Sequence, residues 1–274
     1  MPWSIIFVGA CALGFGVLSR FFPCNPGQKV FTRETADDVL YYFVNVLFYA
    51  GLSMALLKGT LTTVAPAQAP AALKAIHDGW GWMPRLPLAA QIVVMLLVTD
   101  VIQYWLHRAF HGARLWPFHA IHHGAEHVDW ATTFRVHPVN YLAYSTSVAV
   151  LTQVMGFSPL VFVILAPINF VHAALVHANL NWTFGPFRYV LASPVFHRWH
   201  HASDPRVRDK NFAPTFPILD VLFGTFHMPK GQLPQTYGVE GVPPNFVGQM
   251  LYPFGPLADW YARAVKPAAR SSGA

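Results

Sequence analysis

Long apolar runs alternate with short polar segments over the first two thirds of the chain. Three of them precede residue 107: Trp3–Ser19, Tyr41–Leu57 (which ends at Lys58) and Leu86–Leu106 (interrupted only by Asp100). Each run is at least 17 residues long, close to the length of about 20 residues that an α-helix needs to cross a bilayer. The pattern therefore predicts three membrane-spanning helices. Because no basic region precedes the first run, we expect a retained helix and not a cleaved signal peptide.

The longest uncharged stretch runs from Val136 to Phe187 and exceeds the length of a single span. Its middle contains Gly156-Phe157-Ser158-Pro159, which is typical of a turn. We therefore expect Tyr141–Met155 and Leu160–Val176 to form a helical hairpin that leaves and returns to the same membrane face. The pattern predicts an all-α integral membrane protein with about four transmembrane helices and a helical cap on one side.

Composition supports a membrane location and excludes several classes of protein. Only 11% of the residues are charged and the mean hydropathy is +0.37, whereas a soluble domain carries about 25% charged residues. The two cysteines, Cys11 and Cys24, support neither a disulfide framework nor a cysteine zinc site. The net charge is +6, but the basic residues form no run, so we expect no nucleic-acid partner. The His-Glu-x-x-His string of zinc proteases and the Gly-x-Ser-x-Gly string of lipolytic enzymes are absent.

The distribution of basic residues predicts the orientation in the membrane. Twelve of the eighteen Lys and Arg residues lie from Arg108 onward, in segments that the hairpin places on one face. By the positive-inside rule this face is cytoplasmic. We divide the chain into a transmembrane region with three spans (1–106), a histidine-motif region that includes the hairpin at 138–176 (107–229) and a C-terminal interfacial tail (230–274).

Histidines are concentrated in the polar segments of that face, where thirteen of fourteen lie between His107 and His227. Eight form clusters with the spacings HxxxH, HxxHH and HxxHH: His107 and His111; His119, His122 and His123; His197, His200 and His201. Positions i, i+3 and i+4 share one face of a helix, so each cluster can direct two or three imidazoles at one point. Imidazole is the commonest metal-binding side chain and suits iron, copper, nickel and zinc. Eight donors exceed what one ion can use, so the count predicts two neighbouring ions.

The order of these motifs resembles the sterol desaturase and fatty acid hydroxylase superfamily of membrane proteins, and in particular its bacterial members. The resemblance covers roughly residues 99–229 and extends to segments without clustered histidines, such as Phe134-Arg135-Val136-His137-Pro138, Lys210-Asn211-Phe212 and Phe223-Gly224-Thr225. It implies a non-haem diiron centre, held mainly by histidines on the cytoplasmic side of a bacterial inner membrane. It also implies oxygen-dependent attack on an unactivated C–H bond of a lipid.

The resemblance also implies which histidines bind metal. The eight clustered histidines match the family's ligands, and His177 matches a further histidine near the end of the hairpin. His137 lies in the Arg-x-His-Pro segment, and the resemblance allows two roles for it: a metal ligand, or a residue that supports the ligands. His172 precedes His177 by five residues and points about 140° away on a helix, so we expect it in packing or in a substrate pocket. We expect no metal at the remaining three: His77, His127 and His227.

Asp100 is the acidic residue that we expect to support the metal ligands. An ionisable side chain within an apolar run is costly and usually functional, and Asp100 lies two helical turns before His107. Ligating imidazoles usually donate their second N–H to a carboxylate or a carbonyl. Asp129, Asp204 and Asp220 are the alternatives.

These features favour a membrane oxidoreductase that uses O2 to hydroxylate, or to desaturate, a sterol, a fatty acyl chain or a related hydrophobic substrate from the bilayer. We expect two Fe ions as the cofactor, with Zn as a possible substitute in purified protein, and a separate electron-donor protein. The alternative is a histidine-rich membrane protein that binds or transports metal. Transporters place their ligands near the bilayer midplane, whereas these clusters lie at the ends of the apolar runs.

Overall fold

The computed structural model describes residues 2–45 and 81–255, together with residues 51, 52, 55, 70, 71 and 74. Within these residues the protein is all-helical, and the only β-type pairing is an isolated antiparallel bridge between Ala202 and Tyr237. This confirms the all-α prediction for the described part of the chain. Most of the predicted span Tyr41–Leu57 lies outside the described residues, and so does His77.

Four long helices and five shorter ones make up this part of the structure. The long helices are α1 (Pro2–Phe21), α3 (Leu88–Phe110), α5 (Pro138–Met155) and α6 (Pro159–His177). The shorter helices are α2 (Arg33–Tyr42), α4 (Trp116–His123), α7 (Pro194–His200), α8 (Ile218–Leu222) and α9 (Phe246–Leu251). Single 3-10 turns lie at Met83–Arg85, Trp130–Phe134, Gly185–Tyr189, Pro205–Val207 and Tyr252–Phe254.

The two helices predicted from the uncharged stretch are present as α5 and α6, joined by a short turn. Gly156, between them, has a φ of 71°, which lies in the left-handed region that glycine adopts without steric cost. Ser158 then caps α6 by accepting a hydrogen bond from the Leu160 amide. The Gln91 side chain accepts a hydrogen bond from the Ser158 amide at 3.1 Å, which fixes the turn against α3.

Two of the described helices are long and apolar enough to cross a bilayer. These are α3, with a mean hydropathy of 1.6, and the Leu160–His177 part of α6, with a mean hydropathy of 2.0. Both expose apolar side chains on their outer faces, such as Val93 and Leu97 on α3 and Val163 and Ile168 on α6. A contiguous apolar face of this kind suits contact with lipid better than contact with water.

The shorter elements pack around the ends of α3 and α6. Arg135 is buried and joins α2 to the segment before α5, since its guanidinium forms ion pairs with Asp38 and Glu34. Arg198 is also fully buried and donates to the carbonyls of Val128 and His177. These contacts hold the turn at 130–134 and helix α7 against the end of α6, which is where the histidines lie.

Candidate metal centre

Four helices end at the same place, and each ends in histidines. His107 and His111 lie at the end of α3, His177 is the last residue of α6, and the remaining six belong to α4 and α7 or directly follow α7. The C-terminus of a helix carries a partial negative charge, which favours a cation. The structure therefore directs both imidazoles and helix dipoles toward one region.

The nine histidines form two groups. In each group the candidate donor atoms all lie within 4.8 Å of one another. The five-histidine group contains His107, His111, His119, His123 and His200, and the four-histidine group contains His122, His177, His197 and His201. All nine residues that the sequence resemblance marked as ligands are thus brought together in two groups. The two ions that the count of donors predicts stay a prediction.

Helix geometry explains how each HxxHH motif contributes to both groups. Neighbouring residues on a helix point about 100° apart, so His122 and His123 cannot face the same ion. His123 joins His119, four residues earlier, whereas His122 faces the other group. In α7, His197 and the following His201 pair in the same way, and His200 faces the five-histidine group.

Distances between ring nitrogens fit a shared ion in each group. The Nε2 atom of His119 lies 3.0 Å from that of His107 and 3.2 Å from that of His123. In the other group, the Nε2 atom of His197 lies 2.9 Å from that of His177 and 3.2 Å from that of His201. Nitrogen ligands bound at about 2.0–2.1 Å and at right angles stand about 2.9 Å apart.

Three ring nitrogens at the site are buried without a hydrogen-bond partner among the described residues: His111 Nε2, His200 Nε2 and His201 Nδ1. A buried polar atom without a partner is costly. A metal ion would take the lone pairs of His111 Nε2 and His200 Nε2, so the residues present fit a metal-binding role.

The second nitrogen of six of the rings has a hydrogen-bond partner that holds the ring in place. Backbone carbonyls accept from Nδ1 in four of them, at 2.7–3.1 Å: Phe212 for His107, Arg135 for His122, Ala173 for His177 and Lys210 for His200. Side-chain oxygens serve the other two, Asn140 for His119 at 2.8 Å and Asp209 for His111 at 2.9 Å. With Nδ1–H donating, the Nε2 lone pair is left for a metal.

Burial keeps these imidazoles neutral. Loss of water contact lowers the pKa of His119, His122 and His123 well below the ordinary value of 6.5, and neighbouring imidazoles lower it further. The same two causes lower the pKa of His197, His200 and His201. Since only the neutral ring can bind a metal, the site is poised for ligation at neutral pH.

Asp100 does not contact an imidazole in the described structure, which corrects the expectation that it supports a ligand directly. Its carboxylate accepts hydrogen bonds from the backbone amides of Thr215 at 2.8 Å and Phe216 at 3.0 Å. The reason is depth, because two turns of α3 separate Asp100 from His107 by about 10 Å. Asp100 therefore fixes the 213–216 segment.

Among the alternatives to Asp100, Asp220 lies nearest to the histidines in the hydrogen-bond network. It accepts from the amides of Phe212 and Ala213, and the Phe212 carbonyl in turn accepts from His107. Asp129 and Asp204 instead cap 3-10 turns.

The sequence did not reveal Asp209 and Asn140, which contact imidazoles directly. No motif spacing marks such contacts, since Asp209 lies 98 residues from His111.

The other histidines lie outside both groups. His137 uses both ring nitrogens elsewhere, since Nδ1 accepts from the Val139 amide and Nε2 lies 3.3 Å from the Met250 carbonyl. His127 contacts Glu34 at 3.1 Å, and the ring of His227 packs against Trp199.

A cavity of about 860 Å³ lies between α3, α5 and α6 and reaches the four-histidine group, since His177 and His197 are part of its lining. His172 also lines the cavity, and its Nε2 lies 3.0 Å from the Ala192 carbonyl. No member of the five-histidine group contributes to the lining. The volume falls within the range of about 300–1,000 Å³ that is typical of ligand pockets.

The sequence comparisons agree with this site. The fatty acid hydroxylase family model matches residues 92–225. An ornithine lipid hydroxylase of Rhizobium tropici is 26% identical over 254 residues, which cover 92% of this chain and 75% of that protein. An alkylglycerol monooxygenase of Danio rerio is 31% identical over 131 residues, covering 47% of this chain but only 29% of the relative. A very-long-chain aldehyde decarbonylase of Oryza sativa is 28% identical over 169 residues, which cover 55% of this chain and 50% of the relative.

No solved structure matches the chain. The matched relatives are lipid-modifying enzymes, which confirms the enzymatic interpretation and gives no support to a metal transporter. Together with the apolar helices α3 and α6, they identify a membrane protein. The matched segment contains all nine grouped histidines, so residues 92–225 form a fatty acid hydroxylase domain of the superfamily that the histidine spacing resembles.

Proposed function

We propose that this protein is an oxygen-dependent hydroxylase of a membrane lipid and that it works with two iron ions. The proposal rests on His177 and His197, because these two residues connect the metal site to the cavity. Both belong to the four-histidine group, and both line the cavity between the apolar helices. A substrate in that cavity would lie next to the ion of the four-histidine group. The five-histidine group does not line the cavity, so its ion would lie farther from the substrate.

The side chains of this protein would hold and orient the reacting groups. Iron, when bound, supplies the activation of O2 that an unactivated C–H bond requires. The five- and four-histidine groups each hold one ion, and hydrogen bonds such as His119–Asn140 and His111–Asp209 fix the rings. The apolar walls of the cavity exclude water, which limits side reactions of the activated oxygen.

Hydroxylation consumes one O2, two electrons and two protons, and it yields the alcohol and one water. No side chain of the described site is a redox donor, so we propose that a separate protein delivers the electrons. The same arrangement would serve desaturation, and analysis of the product distinguishes the two reactions.

We further propose that the chain crosses a bacterial inner membrane about four times, with the histidine groups on the cytoplasmic side. In this arrangement residues 1–106 form the first transmembrane region, 107–229 form the catalytic region and 230–274 lie at the interface. Reporter tags test the orientation: a tag near Gly124 and one at the C-terminus should report the cytoplasm, and a tag near Ala67 should report the opposite side. Opposite locations for Gly124 and the C-terminus would contradict the proposed hairpin.

The function is tested by comparing the lipids of cells that express the protein or its His200→Ala variant with ample iron. After growth under ¹⁸O2, cells with the unchanged protein should contain a lipid that carries one labelled oxygen, and cells with the His200→Ala variant should not. Purified protein should contain iron in both groups. The absence of any labelled lipid, with iron present in both groups, would contradict the proposal.

A further inference from the structure

The lining of the cavity changes with distance from the metal site. Along α3, Gln103 lies four residues, or about 6 Å, before His107. Along α6, Asn169 lies eight residues, or about 12 Å, before His177. On α5, Tyr144 lies one turn beyond Asn140, the residue that contacts His119. These polar side chains thus form a collar within about 12 Å of the histidine groups.

Beyond this collar the lining is apolar. Phe162 lies fifteen residues, or about 22 Å, before His177, and so the cavity extends well into the hairpin. The deep part is lined by apolar side chains of all three helices and of the turn between α5 and α6, among them Met95, Leu96, Val148, Phe157, Phe162 and Leu165. Only the end next to the histidines offers hydrogen bonds.

Tyr141, which follows Asn140 on α5 and also lines the cavity, is the fourth polar side chain of the collar. None of the four has a hydrogen-bond partner among the residues that the structure describes: Gln103, Tyr141, Tyr144 and Asn169. The other polar side chains of the lining are already paired. Thr99 and Ser145 donate to carbonyls of their own helices, and Asp100 accepts from two backbone amides. Unpaired polar groups in an apolar setting are costly, which points to a ligand with polar atoms at the collar.

The chemistry of the collar defines the class of that ligand. Amide and phenol groups donate and accept hydrogen bonds without charge. No Lys or Arg lines the cavity, whereas the carboxylate of Asp100 does, so no side chain of the lining can neutralise a free carboxylate or a phosphate at the collar. An uncharged carbonyl linkage, such as an amide or an ester, can pair with Gln103, Tyr144 and Asn169.

We propose that the cavity binds an acyl lipid with its chain in the deep apolar end and an uncharged amide or ester linkage at the collar. The oxidised carbon then lies within a few bonds of this linkage and far from the terminal methyl group. The position of the oxidised carbon rests on the proposed function, whereas the orientation of the lipid does not.

Photolabelling of the full-length protein in lipid nanodiscs tests the orientation. Two N-methylhexadecanamide probes are compared, one with a diazirine beside the amide and one with a diazirine near the chain end. The first should label the level of Gln103 and His172, and the second should label the Phe157–Leu165 segment. Reversed labelling, or the same labelling by both probes, would overturn the orientation. Labelling needs neither metal nor O2, so such a result in a protein that still oxidises lipid would leave the proposed function intact.

Competition for labelling tests the class of ligand. Unlabelled N-methylhexadecanamide or methyl hexadecanoate should compete better than hexadecanoate, and their relative strength identifies the linkage. Gln103→Leu should weaken competition by the amide about fivefold, the effect of one buried neutral hydrogen bond. Thr146→Val, on a part of α5 that does not line this cavity, should leave competition unchanged. Equal competition by hexadecanoate, or an unaltered Gln103→Leu variant, would overturn the assignment.

Discussion

Replacing Asp220 by asparagine tests how far the metal site depends on a carboxylate that does not touch the imidazoles. Asp220 is fully buried. One oxygen accepts from the Phe212 amide at 2.7 Å and from the Thr225 hydroxyl at 2.6 Å, and the other accepts from the Ala213 amide at 2.9 Å. The Phe212 carbonyl then accepts from His107 Nδ1 at 2.8 Å. The carboxylate therefore holds the peptide that orients a ligand.

The expected cost follows from these bonds. Asparagine has nearly the same shape, but its NH2 group would face the Ala213 N–H, so one charge-assisted bond worth about 1.5–3 kcal/mol is lost. A neutral amide is easier to bury than a carboxylate, and burial raises the pKa of Asp220 for this reason. This offsets part of the loss, and we expect the free energy of unfolding to fall by about 2 kcal/mol.

Thermal unfolding in nanodiscs and metal analysis measure the two consequences. A loss of this size should lower Tm by about 4–8 °C in a chain of this length. Misplacement of His107 should weaken metal binding by about 10- to 100-fold. Glu240→Gln is the matched control, since Glu240 is exposed and should shift the free energy by less than about 0.5 kcal/mol. An Asp220→Asn variant with unchanged Tm and full metal content would refute the reasoning.

Four further outcomes are expected from the same structure. His200→Ala should reduce metal content and abolish lipid oxidation. His137→Ala should keep its metal, because that ring lies outside both groups. Equal metal loss in the two variants would contradict the grouping. Burial lowers the pKa of rings such as His123 below 6.5, so metal titrations should show ions still bound as the pH falls through 6.5. Metal-free protein should lose stability over that range, because only the unfolded chain takes up protons there; a metal-free protein whose Tm is constant between pH 7 and pH 5 would refute this sign. Arg198→Lys keeps the charge but lacks the fork in which Nη1 donates to the Val128 and His177 carbonyls while Nη2 donates to Asn25. We therefore expect the free energy of unfolding to fall by about 2–4 kcal/mol, and an unchanged Tm would contradict this.

The local part of this structure was predictable because its causes are local. The apolar runs Leu86–Leu106 and Leu160–Val176 contain no strong helix breaker apart from Pro87, which directly precedes α3, and Pro167, and the structure has helices there. Gly156 marks the turn of the hairpin because only glycine adopts its backbone conformation freely. The grouping of histidines also follows from spacing, since residues four apart share a helix face and adjacent residues do not.

The contacts that orient the imidazoles could not be predicted, because their causes are distant in sequence. Four rings donate to backbone carbonyls, as His107 does to Phe212 and His200 does to Lys210. Every residue type has such a carbonyl, so no sequence pattern marks the acceptor. The partners of Asp100 could not be predicted for the same reason. The cost of burying a carboxylate implied that Asp100 has hydrogen-bond donors, but these are the amides of Thr215 and Phe216, which lie more than 100 residues away in the sequence.

The scarcity of carboxylates at the site raises the question of what balances the charge of two metal ions. Asp209 is the one carboxylate that bonds to an imidazole of the two groups in the described structure. Helices α3, α4, α6 and α7 all end there, and each helix C-terminus carries up to about half a negative charge. The backbone would thus supply up to about two negative charges without placing an ionised side chain at the cavity. A carboxylate-bridged site would put such charges beside His177 and His197, which line the cavity that we propose for the acyl lipid. Imidazoles at converging helix ends therefore allow a cationic centre to face the cavity without a carboxylate beside His177 and His197, since Asp100, the one carboxylate of the lining, lies two turns of α3 deeper.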